Sequence, residues 1–478
     1  MTIEYEPVIG LEVHAELLTE SKMFCNCPNA FAGEPNSRTC PVCLGLPGSL
    51  PVANKKAVEF VIRTALALNC EVSNYSIFHR KNYFYPDLVK NYQISQYDYP
   101  IGRRGHIDIT VNGVTKRIRI RRVHLEEDTG KLIHAGGNES FVDYNRSGVP
   151  LMEIVSEADI HSAEEAREYL VRLRAILTYL GVSDAKMEEG HMRCEPNISV
   201  RPKGTEMLGT RTELKNLNSF RAVYRGVDYE IKRQIEVLKE GGKIVHETRR
   251  WDDEQGITTV MRGKEYEQEY RYFPEPDLVP MYFSPEFIEE QRRALPELPD
   301  QKKSRFMEEF GLPAYDAEIL TDTREMAEYF EETVKMFPEP KTVSNWIMGD
   351  FTRMLNAAGI EIQESKVKPS DLATLLKMIS DGTISGKIAK TVFEEMFATG
   401  KSPKEIVQAR GMTQITGEEE LIPVIDRVLD ENPDVVAKIK GGDQKPMGFL
   451  VGQVMKYTQG RANPQLVNKL LAQRLSER

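Results

Sequence analysis

No apolar run in the 478-residue sequence approaches the roughly 18 residues that a membrane span requires. A phosphate-cradling glycine loop is also missing. The nearest match, Gly382-Thr383-Ile384-Ser385-Gly386-Lys387-Ile388, is too short and puts Ile388 where a hydroxyl should meet the metal, so it reads as a helix start. Nor is there a Gly-x-Ser-x-Gly elbow, an N-terminal nucleophilic cysteine or a serine-rich glycine loop. Without these, any nitrogen donor must come from a partner. Basic residues are outnumbered, 63 Lys and Arg to 73 Asp and Glu, and the formal net charge of -10 argues against a nonspecific nucleic-acid coat. Met1 to Glu6 carry no basic segment followed by an apolar core, which speaks against a secretory leader and predicts a cytoplasmic protein.

A chain of this length predicts two or three domains. Four of its six cysteines are grouped as Cys25-x-Cys27 and Cys40-x-x-Cys43, with Pro41 and Gly45 supplying turn residues. In a reducing compartment that spacing favours a closed structural zinc site over disulfides or ordinary buried thiols. Cys70 and Cys194 stand alone and read as buried thiols.

The stretch Val8 to Leu17 alternates strictly, placing Leu11, Val13, Ala15 and Leu17 on one face of a strand and Glu12, His14 and Glu16 on the other. Taken alone, such a stretch is more often an edge strand with a solvated polar face. Residues 54 to 69 read as a helix capped by Asn54; 162 to 180 as a helix with a Ser162/Glu165 capping box, stopped by Gly181; 220 to 240 as a third, closed by Gly241-Gly242. Ile107 to Val111 and Thr115 to Val123 read as a hairpin turning at Gly113, which runs into His124-Leu125-Glu126-Glu127-Asp128. Glu153 interrupts an apolar strand and needs a partner, a metal or water. Lys81-Asn82-Tyr83-Phe84-Tyr85-Pro86-Asp87 is echoed by Tyr270 to Asp277, aromatic clusters beside a cation that serve either as a core corner or as a stacking surface. From about 285 to 405 short helical patterns separated by Pro or Gly read as an all-helical domain, and a helical tail follows from about 406. From Val435 onward eight Lys or Arg face only Asp443 and Glu477. That local basic excess is either a solvated face or a polyanion contact.

Glu12 and His14, with Glu127 and Glu153, give three carboxylates and an imidazole that suit magnesium or manganese, and magnesium commonly accompanies ATP phosphates. The ordered set of Val8 to Leu17, the four cysteines, Lys81 to Asp87, His124 to Lys131, Asn145 to Glu153, Glu213 to Phe220, Tyr270 to Asp277 and Gly448 to Lys456 resembles, nearly end to end, the B subunits of bacterial aspartyl/glutamyl-tRNA amidotransferases. The resemblance implies an α+β chain: a cradle-like α/β catalytic domain over 1–292 with a mixed or antiparallel sheet, a helical domain over 293–405 and a small helical tail over 406–478. It further implies ATP- and magnesium-dependent phosphorylation of the side-chain carboxylate of glutamate mischarged on tRNA(Gln), or aspartate on tRNA(Asn), followed by attack of ammonia. Ammonia would come from a glutaminase A subunit held with a small C subunit in a heterotrimer, with an aminoacyl-tRNA synthetase as a further partner.

Carried over by position, Glu12, His14, Glu127 and Glu153 are the metal-binding catalytic set. Lys81, Tyr83, Asn145 and Arg146 lie near nucleotide or acceptor end, and Lys445, Lys456 and Arg461 belong to a tRNA-binding tail. Cys25, Cys27, Cys40 and Cys43 would hold a structural zinc. The family often has Asp-Ala where this chain has Glu195-Pro196, so Glu195 receives no role at the metal. Two other readings fit the same residues: a noncatalytic tRNA-binding scaffold and a metal-dependent phosphohydrolase.

Overall fold

The computed structural model describes residues 3–134, 139–263, 269–412, 415, 417–440, 446–458 and 460–477. The chain divides into two compact units, Met1–Leu298 and Pro299–Arg478.

The first unit is built on the Tyr5–Glu16 strand, which buries Leu11, Val13 and Ala15 completely and leaves Glu12, His14 and Glu16 half-buried. It is no edge strand. Nine strands form the sheet in the order Ile257–Gly263, Glu247–Asp252, Thr212–Lys215, Met192–Pro202, Tyr5–Glu16, Pro150–Ser156, Val114–Glu127, Gly102–Val111 and Glu71–Val72, so the first strand occupies its centre. Every pair is antiparallel except Thr212–Lys215 with Glu247–Asp252, which makes the sheet mixed. The predicted hairpin turns at Asn112-Gly113, both at positive φ (51° and 78°), the geometry that matches strand twist in a two-residue turn.

Three helices cover the apolar face. Lys55–Ala67 starts at Asn54, whose side chain accepts from the Lys56 and Ala57 amides, and buries Ala57, Val61 and Ala65. Ala163–Tyr179 is capped by Ser162 and ends before Gly181 at φ +64°. Glu165 closes its cap one residue earlier than a capping box requires, accepting from the His161 amide at 2.7 Å, because Lys116 Nζ also holds its carboxylate at 2.7 Å. Phe220–Lys239 is capped by Ser219. Side chains from these helices and from the central strands form one hydrophobic cluster, in which Val61, Leu170, Val223, Leu11 and Val13 are all fully buried. The two echoed aromatic stretches meet: Phe273–Pro274 pairs with His79–Asn82, and Arg80 grips Glu275 through two hydrogen bonds of 2.7 and 2.9 Å.

The second unit is helical in its described residues and contains two hydrophobic clusters, one running from Phe306 to Val407 and one from Leu421 to Leu475. No helix among the described residues is long and apolar enough to cross a membrane.

Candidate active site

Antiparallel register sets His14 opposite Glu153, and Glu153 opposite His124. Glu126, two residues beyond His124, shares its face, and directly opposed side chains on one sheet face are neighbours. His14 Nε2 lies 3.6 Å from Glu126 Oε1 and 3.5 Å from Glu153 Oε2. His124 Nε2 lies 3.6 Å from Glu126 Oε2 and 3.3 Å from Glu153 Oε2. Ser95 Oγ donates to Glu126 Oε2 at 2.9 Å, and Arg122 Nη2 stands 3.6 Å from Glu153 Oε1. His124, Glu126 and Glu153 are all buried.

Burial alone would drive both carboxyls toward their neutral forms. Against that, the charges of the two imidazoles and their hydrogen bonds hold Glu153 well below the usual carboxylate range, and Lys81 and His124 hold Glu126 low. Burial pushes His14 down, but its hydrogen bond to Glu153 and the charges of Glu153 and Glu126 bring it up to about 9. His124 is raised by the same carboxylates. The cluster therefore sets two raised imidazoles against two lowered carboxylates, and among the described residues His14 Nδ1 and His124 Nδ1 are buried without hydrogen-bond partners.

One donor atom each from His14, Glu126 and Glu153 lies within 4.8 Å of the others. Around a magnesium ion with bonds of about 2.1 Å, adjacent ligand atoms stand about 3 Å apart and opposite ones about 4.2 Å. Two carboxylates and one imidazole thus fit a hard divalent cation, which would take the place of the His14 proton.

Of the expected four-residue set, His14 and Glu153 meet in the cluster, while Glu127 and Glu12 stand outside it. Glu127 faces away: its Oε1 accepts from the Ile94 amide at 3.0 Å and pairs with Lys90, because strand alternation puts it on the face opposite Glu126. Glu12 borders the group without joining it. It faces Glu195 and Val155 across the strands, accepts from Asn197 Nδ2 at 3.1 Å, and is raised by burial and by Glu153 and Glu195. Lys81 stands beside the cluster with Nζ 4.9 Å from the Tyr270 ring and 5.8 Å from the Tyr83 ring. Tyr83 reaches Gln93 at 3.4 Å, and Gln93 donates to the Glu127 carbonyl. Asn145 and Arg146 do not face the cluster. Asn145 staples the cysteine loop, accepting from the Arg38 amide and donating to the Glu34 carbonyl, and Arg146 donates to the carbonyls of Thr129 and Gly130.

Arg146 also lies 3.7 Å from Asp128, which Arg193 Nη2 holds at 2.6 Å. Burial raises the Asp128 carboxyl, but the two guanidinium groups bring it down to about 2. A lowered carboxylate stabilises the fold above its unfolded value of 3.8 and loses that contribution as pH falls toward 2. In urea unfolding, Asp128→Asn should cost on the order of 2 kcal/mol at pH 7, with the deficit shrinking below pH 3. A deficit of equal size at pH 2.5 would refute this ion-pair account.

Sulfur atoms of Cys25, Cys27, Cys40 and Cys43 also lie within 4.8 Å of one another, a donor set that fits zinc. Cys43 is drawn down to about 5, first by its hydrogen bond with Cys25 and further by the Cys40 amide and by Lys22. Lys22 is itself buried, with Nζ 3.8 Å from Cys43 Sγ and 2.8 Å from the Arg38 carbonyl.

In the tail, Lys445 lies outside the described residues, Lys456 is exposed, and Arg461 donates to the carbonyls of Thr458 and Gly411. The cluster from Leu421 to Leu475 also incorporates the acidic Glu418–Glu431 helix. Residues 406–478 hold ten Lys or Arg against nine Asp or Glu, so the basic excess is confined to the segment after Val435.

Residues 7–289 match the family model of the GatB/GatE catalytic domain, and residues 328–475 match the GatB domain. The chain is 58% identical over 475 residues to the B subunit of the aspartyl/glutamyl-tRNA(Asn/Gln) amidotransferase of Caldanaerobacter subterraneus subsp. tengcongensis, covering 99% of this chain and 100% of that one. The B subunit of the same enzyme from Thermoanaerobacter pseudethanolicus is 58% identical over 475 residues, with the same coverage. That of Carboxydothermus hydrogenoformans is 57% identical over 478 residues, covering 99% of each. With both its units matched and its whole length aligned, this chain belongs to the GatB family of aspartyl/glutamyl-tRNA(Asn/Gln) amidotransferase B subunits.

Proposed function

We propose that this amidotransferase chain carries the activating step for glutamate mischarged on tRNA(Gln), aspartate mischarged on tRNA(Asn), or both. A side-chain carboxylate oxygen attacks the γ-phosphorus of ATP and ADP leaves. Ammonia then attacks the acyl carbon, and phosphate leaves with the original oxygen. The observation that carries this reading is the buried array of His14, His124, Glu126 and Glu153 at the centre of the sheet.

His14, Glu126 and Glu153 would hold magnesium or manganese, which when bound neutralises charge on phosphate oxygens. His124 and Ser95 orient the two carboxylates. Burial disfavours the Lys81 ammonium, yet the charges of Glu126 and Glu153 keep it protonated, a cation available to an acyl-phosphate oxygen. The Tyr83 and Tyr270 rings flank that ammonium and limit its access to water. With no amide-cleaving nucleophile of its own, the chain would take ammonia from a glutaminase A subunit, joined with a small C subunit in a cytoplasmic heterotrimer that works alongside an aminoacyl-tRNA synthetase. The cysteine site would hold zinc as a support for the fold.

The decisive assay supplies the assembled complex with mischarged tRNA, ATP and an ammonium salt and looks for amidated aminoacyl-tRNA. ATP consumption without amide would replace this reading with a phosphohydrolase, and neither product would leave a tRNA-binding scaffold. The tail's part is narrower. Removing residues from 406 onward is expected to weaken tRNA binding and flatten its dependence on salt, as is Lys456→Glu to a lesser degree. An unchanged salt slope after truncation would remove the tail from the interface.

A further inference from the structure

Beyond Glu12 the two central strands part. Val155, opposite Glu12, is the last residue of the Pro150–Ser156 strand in register with the first strand. The next donor, the Leu11 amide, is taken by Ser156 Oγ at 2.9 Å, and backbone pairing resumes only where the Ile9 amide meets the Ile160 carbonyl at 2.9 Å. The parting leaves a cavity of about 180 Å³. Val8, Gly10 and Glu12, successive polar-face positions of the first strand, run along it, so it lies on the same sheet face as His14.

Gly10 is not explained by the fold. A Cβ built there would meet no heavy atom nearer than 3.9 Å, and its backbone is ordinary strand. What the missing side chain preserves is open floor beside Glu12. The cavity is lined by apolar surface from Val155 and Leu208, by serine and asparagine side chains, by the Glu12 carboxylate, and by Arg121 and Arg211, of which Arg121 is paired with Glu157 at 2.9 Å and Arg211 reaches His246 at 3.3 Å. Asn197 occupies one position on Glu12 Oε1, and a carboxylate with about four lone-pair sites retains capacity for a hydroxyl donor.

We propose that this cavity receives an adenosine, the terminal nucleoside of the aminoacylated tRNA. The inference rests on the amidation reading above. The base lies on the glycine floor against Val155 and Leu208, a ribose hydroxyl donates to Glu12, and the adjoining phosphates face Arg121 and Arg211. Reach favours the tRNA end. His14 is two residues further along the strand, about 7 Å, a gap that an extended glutamyl or aspartyl ester on the ribose can bridge to deliver its carboxylate to the cluster. Glu12 is then a substrate-binding residue rather than a metal ligand.

ATP also carries an adenosine, and the test separates the two sources in the assembled complex. Gly10→Val should weaken binding of intact, uncharged tRNA roughly tenfold. It should bind tRNA trimmed of its terminal adenosine as well as the unaltered complex does, raise KM for aminoacyl-tRNA and leave KM for ATP unchanged. Equal binding of intact tRNA by both complexes would overturn the site; a rise in KM for ATP alone would overturn the assignment to the tRNA end. Gly10→Ala, with thermal unfolding as a control, must show the same selective loss in smaller measure, and its absence would count equally against the site. Because the trimmed-tRNA comparison is read without turnover, failure of the unaltered complex to amidate would strike the amidation reading and leave the binding result standing.

Discussion

Glu126→Gln is expected to slow ATP-dependent amidation by about 10²-fold or more while leaving tRNA affinity nearly unchanged. The substitution keeps volume and removes one charge from a site where His14, His124 and Ser95 all converge on that carboxylate. A cation bound by an imidazole and a single remaining carboxylate is weakly held, so higher magnesium should recover part of the rate. Glu127→Gln makes the useful contrast, because that side chain serves Lys90 and the Ile94 amide on the other face. Its principal effect should be on stability, since it leaves a buried lysine without its partner. Single-turnover amidation and urea unfolding of both variants distinguish the two roles. If Glu127→Gln proved the more damaging to the chemical step with stability intact, the assignment of Glu126 to the site would be wrong.

Loss of the cysteine site should have the second large effect, on folding. Binding of zinc to a preformed four-thiolate set is folding free energy, so Cys40→Ser is expected to remove the metal and lower stability by several kcal/mol. Apart from the metal, the loop holding these residues is tied down by hydrogen bonds rather than by a large apolar core of its own: Asn145 and Lys22 tether it through backbone groups, and Asn36 exchanges hydrogen bonds with Asp143, Val142 and Tyr144. Without metal, buried Lys22 would be left facing Cys43, while the Cys25 and Cys27 thiols are pushed upward, Cys27 to about 11. Metal analysis of the purified chain should find one zinc, released by a chelator with a drop in unfolding temperature. A chain that carries no zinc and unfolds identically with chelator present would refute the assignment.

Much of the architecture follows from local rules, and the point where they fail has a physical cause. The first strand's alternation, the caps at Asn54, Ser162 and Ser219 and the Asn112-Gly113 turn are local signals, and each appears where such signals place it. The strand that supplies Glu126 does not keep one phase. Ile118 and Ile120 face the core, but so do Val123 and Leu125, and the register against the neighbouring strand shifts at Arg121 and Arg122. Extending the first phase turns Glu127 toward the polar face; the bulge turns Glu126 there instead. The signal lies in the paired arginines that break the alternation. His124 escapes the same extrapolation for the same reason. Asn145 and Arg146 illustrate a different limit: a polar pair in a loop looks the same whether it meets a substrate or a backbone carbonyl, and here it meets carbonyls.

The place of the Tyr5–Glu16 strand at the middle of the sheet has a consequence for how the protein is made. Its two neighbours are residues 150–156 and 192–202, and Tyr5 pairs with Pro202. The strand that leaves the ribosome first therefore gains its second ladder only when residue 202 has emerged. At about 5–20 residues per second that interval is roughly 10–40 s. Until residue 156 has emerged, Leu11, Val13 and Ala15 have no sheet in which to be buried, and from then until residue 202 the strand is a sheet edge with one ladder unpaired.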